Sequence, residues 1–292
     1  MRRRRLDLSS RVLVTTAALI TSAILFGIFF FLISDGVRVF GKISFEEFFF
    51  SARWYPTYED AEYGILALLS GTLAVTGLTL AISIPLGFVS AIFLAEFSHR
   101  KAHDFLKLIF ELMAGIPSVV LGSFGLKYVS RWLMEFFPMK VWTGLNIFNA
   151  SLMLSILAMP YFVTLIEDAL KAVPVDQKEA SLALGANTTS TVFRIIVPQA
   201  RSGILNAIIL GTNRIIGETM VVLMVAGGAS MIPHSIFDPV RPLTAAIAGE
   251  MGEVELGSTH YYALFMIGVV LLGISLIFTA IAMRLKRGMR RC

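Results

Sequence analysis

Residues 64–95 read GILALLSGTLAVTGLTLAISIPLGFVSAIFLA, with no charged side chain anywhere in the run. A helix needs about 20 apolar residues to cross roughly 30 Å of hydrocarbon, and this stretch exceeds that. Inside lipid every backbone polar group must be paired within the protein. Strands of a membrane barrel would also alternate in polarity instead of staying apolar throughout, so the segment is expected to be a helix. Working outward, residues 12–33 and 145–166 are equally free of charge. Residues 105–126 carry Lys107 and Glu111 near one end, residues 203–232 carry Arg214 and Glu218 in the middle, and residues 261–283 are clean. The expectation is an all-α, polytopic membrane protein with six transmembrane helices. Its composition agrees, at 56 % hydrophobic and only 15 % charged residues, with a mean hydropathy of +0.77, well away from a soluble domain.

Basic residues flank the first and last spans: Arg2 to Arg5 with Arg11 at one end, and Arg284, Lys286, Arg287, Arg290 and Arg291 at the other. The positive-inside rule then places both termini in the cytoplasm, and an even helix count agrees. Residues 34–63 fall outside, where Asp35, Glu46, Glu47, Glu59, Asp60 and Glu62 outnumber Arg38, Lys42 and Arg53. Because the basic ends lie directly against membrane spans, contact with anionic lipid explains them more simply than a nucleic-acid surface. The first apolar run is too long for a cleaved leader and lacks a small-residue cleavage site before Asp35. Cys292 is the only cysteine, which excludes an intrachain disulfide. Three parts are expected: residues 1–63 with a peripheral, lipid-facing first helix, a core over residues 64–283, and a basic tail over residues 284–292.

Between two spans lies a polar, helix-patterned loop, residues 179–198. It contains Glu179, Ala180 and Ser181, then Gly185, then Ile195 to Pro198. Asp176 is expected to cap a short helix, with Glu179 reaching back to it. Gly185 is expected to end that helix in a left-handed conformation, and Thr189 or Ser190 to open the next. Ala180, Ala183 and Ala186 would let another protein's backbone come close, so the loop is a candidate docking surface.

Arg214 and Glu218 stand four apart on an otherwise uncharged span and share one helix face. A mid-membrane charge costs roughly 2.5–3.5 kcal/mol on insertion scales, and an ordinary helical ion pair recovers only about 0.3–0.5 kcal/mol. Pairing therefore does not offset placement, and the two residues should face a wet cavity or a partner helix. A guanidinium is a planar fork matched to oxyanions at every physiological pH. Arg214 is thus a candidate for an anion path in which Glu218 holds it when the path is empty; a structural ion pair is the competing reading. Asn213, Gly217 and Thr219 extend the polar stripe. Thr72, Thr76, Thr79 and Ser83 recur near helical period and are candidates to line the same path. Gly115, Pro117, Ser118, Gly122, Ser123 and Gly125 crowd one span, which invites a bend or break there, or else tight helix packing.

Signs of an enzyme are thin. There is no GxxxxGK[ST] phosphate loop, so nucleotide hydrolysis is not expected of this chain. His99 and His103, beside Asp104, have a spacing seen in zinc sites, but on a short cytoplasmic turn with Arg100 and Lys101 a solvated loop is the simpler reading, and neither a metal nor a cofactor is expected. Glu111 is expected to pair with Lys107.

The arrangement Glu179-Ala180-Ser181, three residues, Gly185, nine residues, Ile195, then Pro198 resembles the cytoplasmic EAA loop of binding-protein-dependent ABC importer permeases. Ser181 stands where alanine is common and Val197 where leucine is usual. Further stretches are similar to the phosphate-transport members of that family: Arg214-Ile215-Ile216-Gly217-Glu218-Thr219-Met220, Phe237-Asp238-Pro239-Val240-Arg241-Pro242, Glu250-Met251-Gly252-Glu253-Val254, and Gly115-Ile116-Pro117-Ser118. The likeness runs from about Gly64 to the end of the chain. It implies a MetI-like core in the prokaryotic inner membrane, working with a homologous second permease, two ATP-binding subunits and an external phosphate-binding protein. It further implies inorganic phosphate as the transported species and a phosphate-related role for Arg214 and Glu218. Glu179, Ala180, Ser181, Gly185, Ile195 and Pro198 become ATPase-docking residues by the same likeness. The guanidinium alone leaves sulfate or molybdate open as substrate. A carrier driven by an ion gradient would have no use for the docking loop, and a phosphate sensor would have none for the intramembrane arginine.

Overall fold

The computed structural model describes residues 2–137 and 143–289. Arg290, Arg291 and Cys292 lie outside the described residues, as do the side chains of Arg2 to Arg5, Lys286 and Arg287. In chain order the elements are α1 (Arg2–Val37), α2 (Phe45–Phe50), β1 (Trp54–Tyr55), β2 (Glu62–Tyr63), α3 (Leu66–Ile92), α4 (Arg100–Ala114), α5 (Ser118–Phe124), α6 (Ser130–Phe136), α7 (Ile147–Lys171), α8 (Val175–Ala183), α9 (Thr188–Thr191), α10 (Val197–Ile216), α11 (Met220–Val225), α12 (Leu243–Glu250) and α13 (Thr259–Met289). π-helical turns continue α3 over Phe93–Phe97, join α5 to α6 over Gly125–Val129, and join α9 to α10 over Val192–Ile196. β1 and β2 form one short antiparallel pair.

Among the described residues five helices are long and apolar enough to cross a membrane, and a sixth span is reached if the bent pair formed by 100–114 and 118–136 counts as one. That segment is therefore not the straight span expected over residues 105–126. It turns by 89° between Ala114 and Ser118, where Pro117 adopts an extended conformation at ψ 136° and disfavours helix at Ile116 before it. The span expected over residues 203–232 is also redrawn. The continuous helical run covers residues 188–216 and stops at Gly217, so Arg214 lies in its last turn and Glu218 just beyond it. Pro198, which has no N–H to give, lies just after the π turn Val192–Ile196, where the backbone bonding pattern of the run is already shifted.

The bundle is built around α7, which packs along α3 and α10. Phe162 on α7 is fully buried between Gly87 of α3 and Gly211 of α10; a side chain on either glycine would collide with it. Without a hydrophobic drive between helices in lipid, such small-residue contacts are what allow close packing. Serine hydroxyls of α7 serve the same interface. Ser151 Oγ donates to the Val75 carbonyl and Ser155 Oγ to that of Thr79, while Thr72, Thr79 and Ser83 bond back within α3. Thr79 and Ser83 are fully buried, whereas Thr72 reaches α12, accepting from Leu243 N, and lies with Thr76 and Glu218 around a small gap.

A second core gathers Phe48, Trp54, Ile65, Leu68, Leu243, Leu264 and Ile267. It joins residues 39–63 to the start of α3, α12 and α13. α1 lies along α13, with Phe31 edge-on to Phe265 and Gly36 against Met266. The remaining faces of α1 from Arg11 to about Phe30 are exposed, as expected of a peripheral helix.

Candidate functional site

At the end of α10 the Arg214 Nη1 donates to Glu218 Oε2 at 2.6 Å. The glutamate side chain is 5 % exposed and the arginine side chain 39 % exposed, so of the two the arginine is the more open. Its carbon lies 5.8 Å from the centre of the Tyr161 ring on α7, within cation–π range. Because Gly217 ends the helix, Glu218 is held by more than helical spacing: its backbone carbonyl accepts from Thr244 Oγ1 of α12 at 2.9 Å. The expected stripe is divided. Asn213 faces α13, donating to Thr279 Oγ1 at 3.0 Å and accepting from Ser275 Oγ at 3.2 Å. Thr219 bonds weakly to the Gly217 carbonyl. Arg214 and Glu218 are brought together; Asn213 serves the α10–α13 contact instead.

The loop after α7 folds as a helical hairpin, α8 and α9. Gly185 makes the turn with φ +86°, as expected. Two local details differ. Pro174 precedes α8 and no side chain caps it, so Asp176 sits in the first turn, where a carboxylate still suits the helix dipole. The second helix is capped by Asn187, whose side chain accepts from Ser190 N at 2.7 Å; neither Thr189 nor Ser190 opens it. Ser181 and Thr191 hydroxyls meet at 2.9 Å and tie the two arms. Glu179, Ala180 and Gly185 are exposed at the tip together with Leu182 and with Leu184, which is 90 % exposed. Ile195 is half-buried in the π turn, and Pro198 lies farther along, beside Phe88.

Lys107 does not pair with Glu111. It reaches the buried Glu167 of α7 at 3.3 Å, and Lys171 and His103 reach the same carboxylate at 2.5 and 2.7 Å. His103 thus serves the Glu167 carboxylate, and no cluster of metal-ligating residues occurs among the described residues.

Sequence reading missed a hub at the other end of the bundle. The Glu250 carboxylate accepts from Trp54 Nε1 at 3.1 Å, meets His260 Nε2 at 2.7 Å, and pairs with Arg241. It forms one wall of a cleft of about 580 Å³ with Tyr55, Thr57, Ser230 and Glu253. Burial pushes the nearby Tyr63 phenol above its ordinary pKa. Trp54 and Glu250 are 196 residues apart, so no local pattern joins them.

These elements make a multi-span membrane protein with an arginine at a break in one apolar helix and a hairpin whose tip leucines are exposed. The chain belongs to the family described as binding-protein-dependent transport system inner membrane component, whose model matches residues 83–291. It is similar to the "Probable ABC transporter permease protein YqgH" of Bacillus subtilis, with 35 % identity over 94 % of this chain and 89 % of that one. It is also similar to the "Phosphate transport system permease protein PstC" of Pasteurella multocida, with 32 % identity over 86 % and 87 % of the two chains. In fold it matches a bacterial ABC transporter that imports alginate, with a TM-score of 0.67 at 16 % identity over 97 % of this chain and 98 % of that one. The MetNI methionine transporter matches with a TM-score of 0.56 at 21 % identity over 77 % and 94 %. The chain is therefore a multi-pass ABC importer permease of the inner membrane.

Proposed function

We propose that this permease carries inorganic phosphate as half of an ATP-driven importer. The observation that carries the reading is the Arg214 guanidinium, held on one side by Glu218 and Tyr161 and open on the other. An entering oxyanion takes up the free donors of the fork, and Glu218 retains the arginine when the path is empty. Phosphate, as against sulfate or molybdate, is supported by the PstC relatives alone. Thr219 lies beside the pair at the helix break.

A PstA-like second permease completes the path, two PstB-like ATP-binding subunits supply hydrolysis, and a PstS-like external protein delivers phosphate. Glu179, Ala180, Ser181 and Gly185 meet the ATPase, with Ile195 and Pro198 fixing how the hairpin leaves α10. Both termini are cytoplasmic, which sets the hairpin inside and the Glu250 cleft outside, facing the binding protein. Residues 64–283 form the permease core, residues 1–63 an added helix and outer segment, and residues 284–292 a basic tail against lipid.

The test is uptake of labelled phosphate by vesicles holding the whole assembly. A lost charge-assisted contact of about 1.5–3 kcal/mol predicts roughly a 10- to 100-fold fall for Arg214→Gln, with membrane insertion and ATPase association kept. Parental uptake by that variant overturns the reading, and preferential uptake of sulfate or molybdate reassigns the substrate.

A further inference from the structure

An ion pair ties the docking hairpin to the body of the permease. Lys178 of α8 lies one residue before the exposed Glu179 and extends the other way, its Nζ 2.5 Å from Glu96 Oε2. Glu96 belongs to the π turn that ends α3 and is 6 % exposed. A carboxylate buried to that degree is costly without its partner, so Lys178 is held there. α8 has no buried residue, and three residues join it to α7. The ion pair therefore attaches it to a helix that lies 82 residues away in sequence.

The far end of α3 is attached as well. Thr72 Oγ1 accepts from the backbone N–H of Leu243 at 2.9 Å, and the next residue, Thr244, donates to the carbonyl of Glu218. Between Glu96 and Thr72 run most of α3 and the π turn that continues it, about 36 Å at 1.5 Å per residue, with Pro85 interrupting the backbone bonding inside it. α7 holds the part nearer Thr72 through the Ser151 and Ser155 bonds to the Val75 and Thr79 carbonyls.

From these contacts, and resting on the proposed function, we infer that α3 is the push rod of the permease: Lys178–Glu96 is its coupling joint at the hairpin, and Thr72–Leu243 is the joint that moves Glu218 against Arg214. A helix transmits displacement along its axis because its hydrogen-bonded backbone resists compression. The two joints convert hairpin movement into a change in how firmly the arginine is held. Lys178 and Glu96 are positioning residues; neither touches the substrate path.

The experiment uses the complete assembly in vesicles and reads two quantities: labelled oxyanion (phosphate, sulfate or molybdate) taken up per ATP hydrolysed, and the stimulation of ATP hydrolysis by the external binding protein loaded with whichever of these the parent takes up. Glu96→Gln is expected to keep basal ATP hydrolysis while both quantities fall about 10-fold, the equivalent of roughly 1.4 kcal/mol. The reversed pair, Glu96→Lys with Lys178→Glu, is expected to restore at least half of each. Thr72→Val, at the far joint, should lower uptake per ATP without weakening association of the ATPase. Parental coupling in Glu96→Gln overturns the inference, and so does a reversed pair no better than the single variant. The parent's own phosphate uptake decides the substrate reading separately, because binding-protein stimulation reports the rod whichever anion is carried.

Discussion

Gly211→Ala is the sharpest probe of the packing that positions Arg214. A Cβ at 211 would stand 2.3 Å from Phe162 Cε1 and 2.5 Å from Cζ. Carbon atoms pack at about 3.5–4.0 Å, so relief requires a displacement of about 1 Å or more. Phe162 has little room to give: it is fully buried, and on its other side a Cβ at Gly87 would lie 2.7 Å from Phe162 Cβ. Overpacking of this kind costs about 1–3 kcal/mol, and the clamp on both sides argues for the upper part of that range. The alternative to strain is for α10 to move away from α7. That movement would carry Arg214, three residues on, away from Tyr161, which precedes Phe162; the present 5.8 Å is already close to the limit of a useful cation–π contact. The assay is thermal stability of the purified protein in detergent, read by retention of the monodisperse peak, together with phosphate uptake in the assembly. Gly211→Ala should lower the transition by several degrees and reduce uptake. Adding Phe162→Leu should recover at least half of the lost stability, a non-additive result expected only of residues in contact. A Gly211→Ala protein as stable as the parent, or strict additivity in the double variant, would refute the clamp.

Two further outcomes follow from the two ends of the bundle. Gly185→Val places a β-branched residue at φ +86°, costing roughly 1–2 kcal/mol of backbone strain; the hairpin tip should reform, with ATP hydrolysis persisting while uptake per ATP falls, and an unchanged ratio would show that the turn does not set the coupling. Glu250→Gln removes the charge that Trp54, Arg241 and His260 share, at about 1.5–3 kcal/mol for a charge-assisted contact. Amide hydrogen exchange across residues 43–63 should then accelerate relative to α7, and equal protection in the two proteins would show that Glu250 does not hold that segment.

Much of the architecture was legible in the chain because a bilayer leaves few options. Long apolar runs must be helices, so α3, α7 and α13 were identified by length and composition alone. Arg214 and Glu218 were conspicuous for the same reason, since a charge in such a run is costly wherever it faces. Gly185 was legible because its left-handed turn is local to one residue. Harder to read was whatever depended on competition between neighbours. Pro174 replaced the Asp176 cap and Asn187 opened the second arm, each by a shift of two or three positions that local preferences barely distinguish.

The sequence by itself determined that this chain crosses a membrane several times, sets a guanidinium in an apolar run and puts a polar hairpin between two spans; the periodicity and the cost of burying charge require no knowledge of distant contacts. Only the tertiary structure decided what those parts touch. Lys107 bonds to Glu167 and not to Glu111, the α3 hydroxyls bond back along their own helix, and Asn213 turns to α13. It also brought Trp54 to Glu250 and Lys178 to Glu96 across 196 and 82 residues. The physical reason is that buried polar groups must find partners wherever packing brings them, and packing is settled by the shape of the whole bundle.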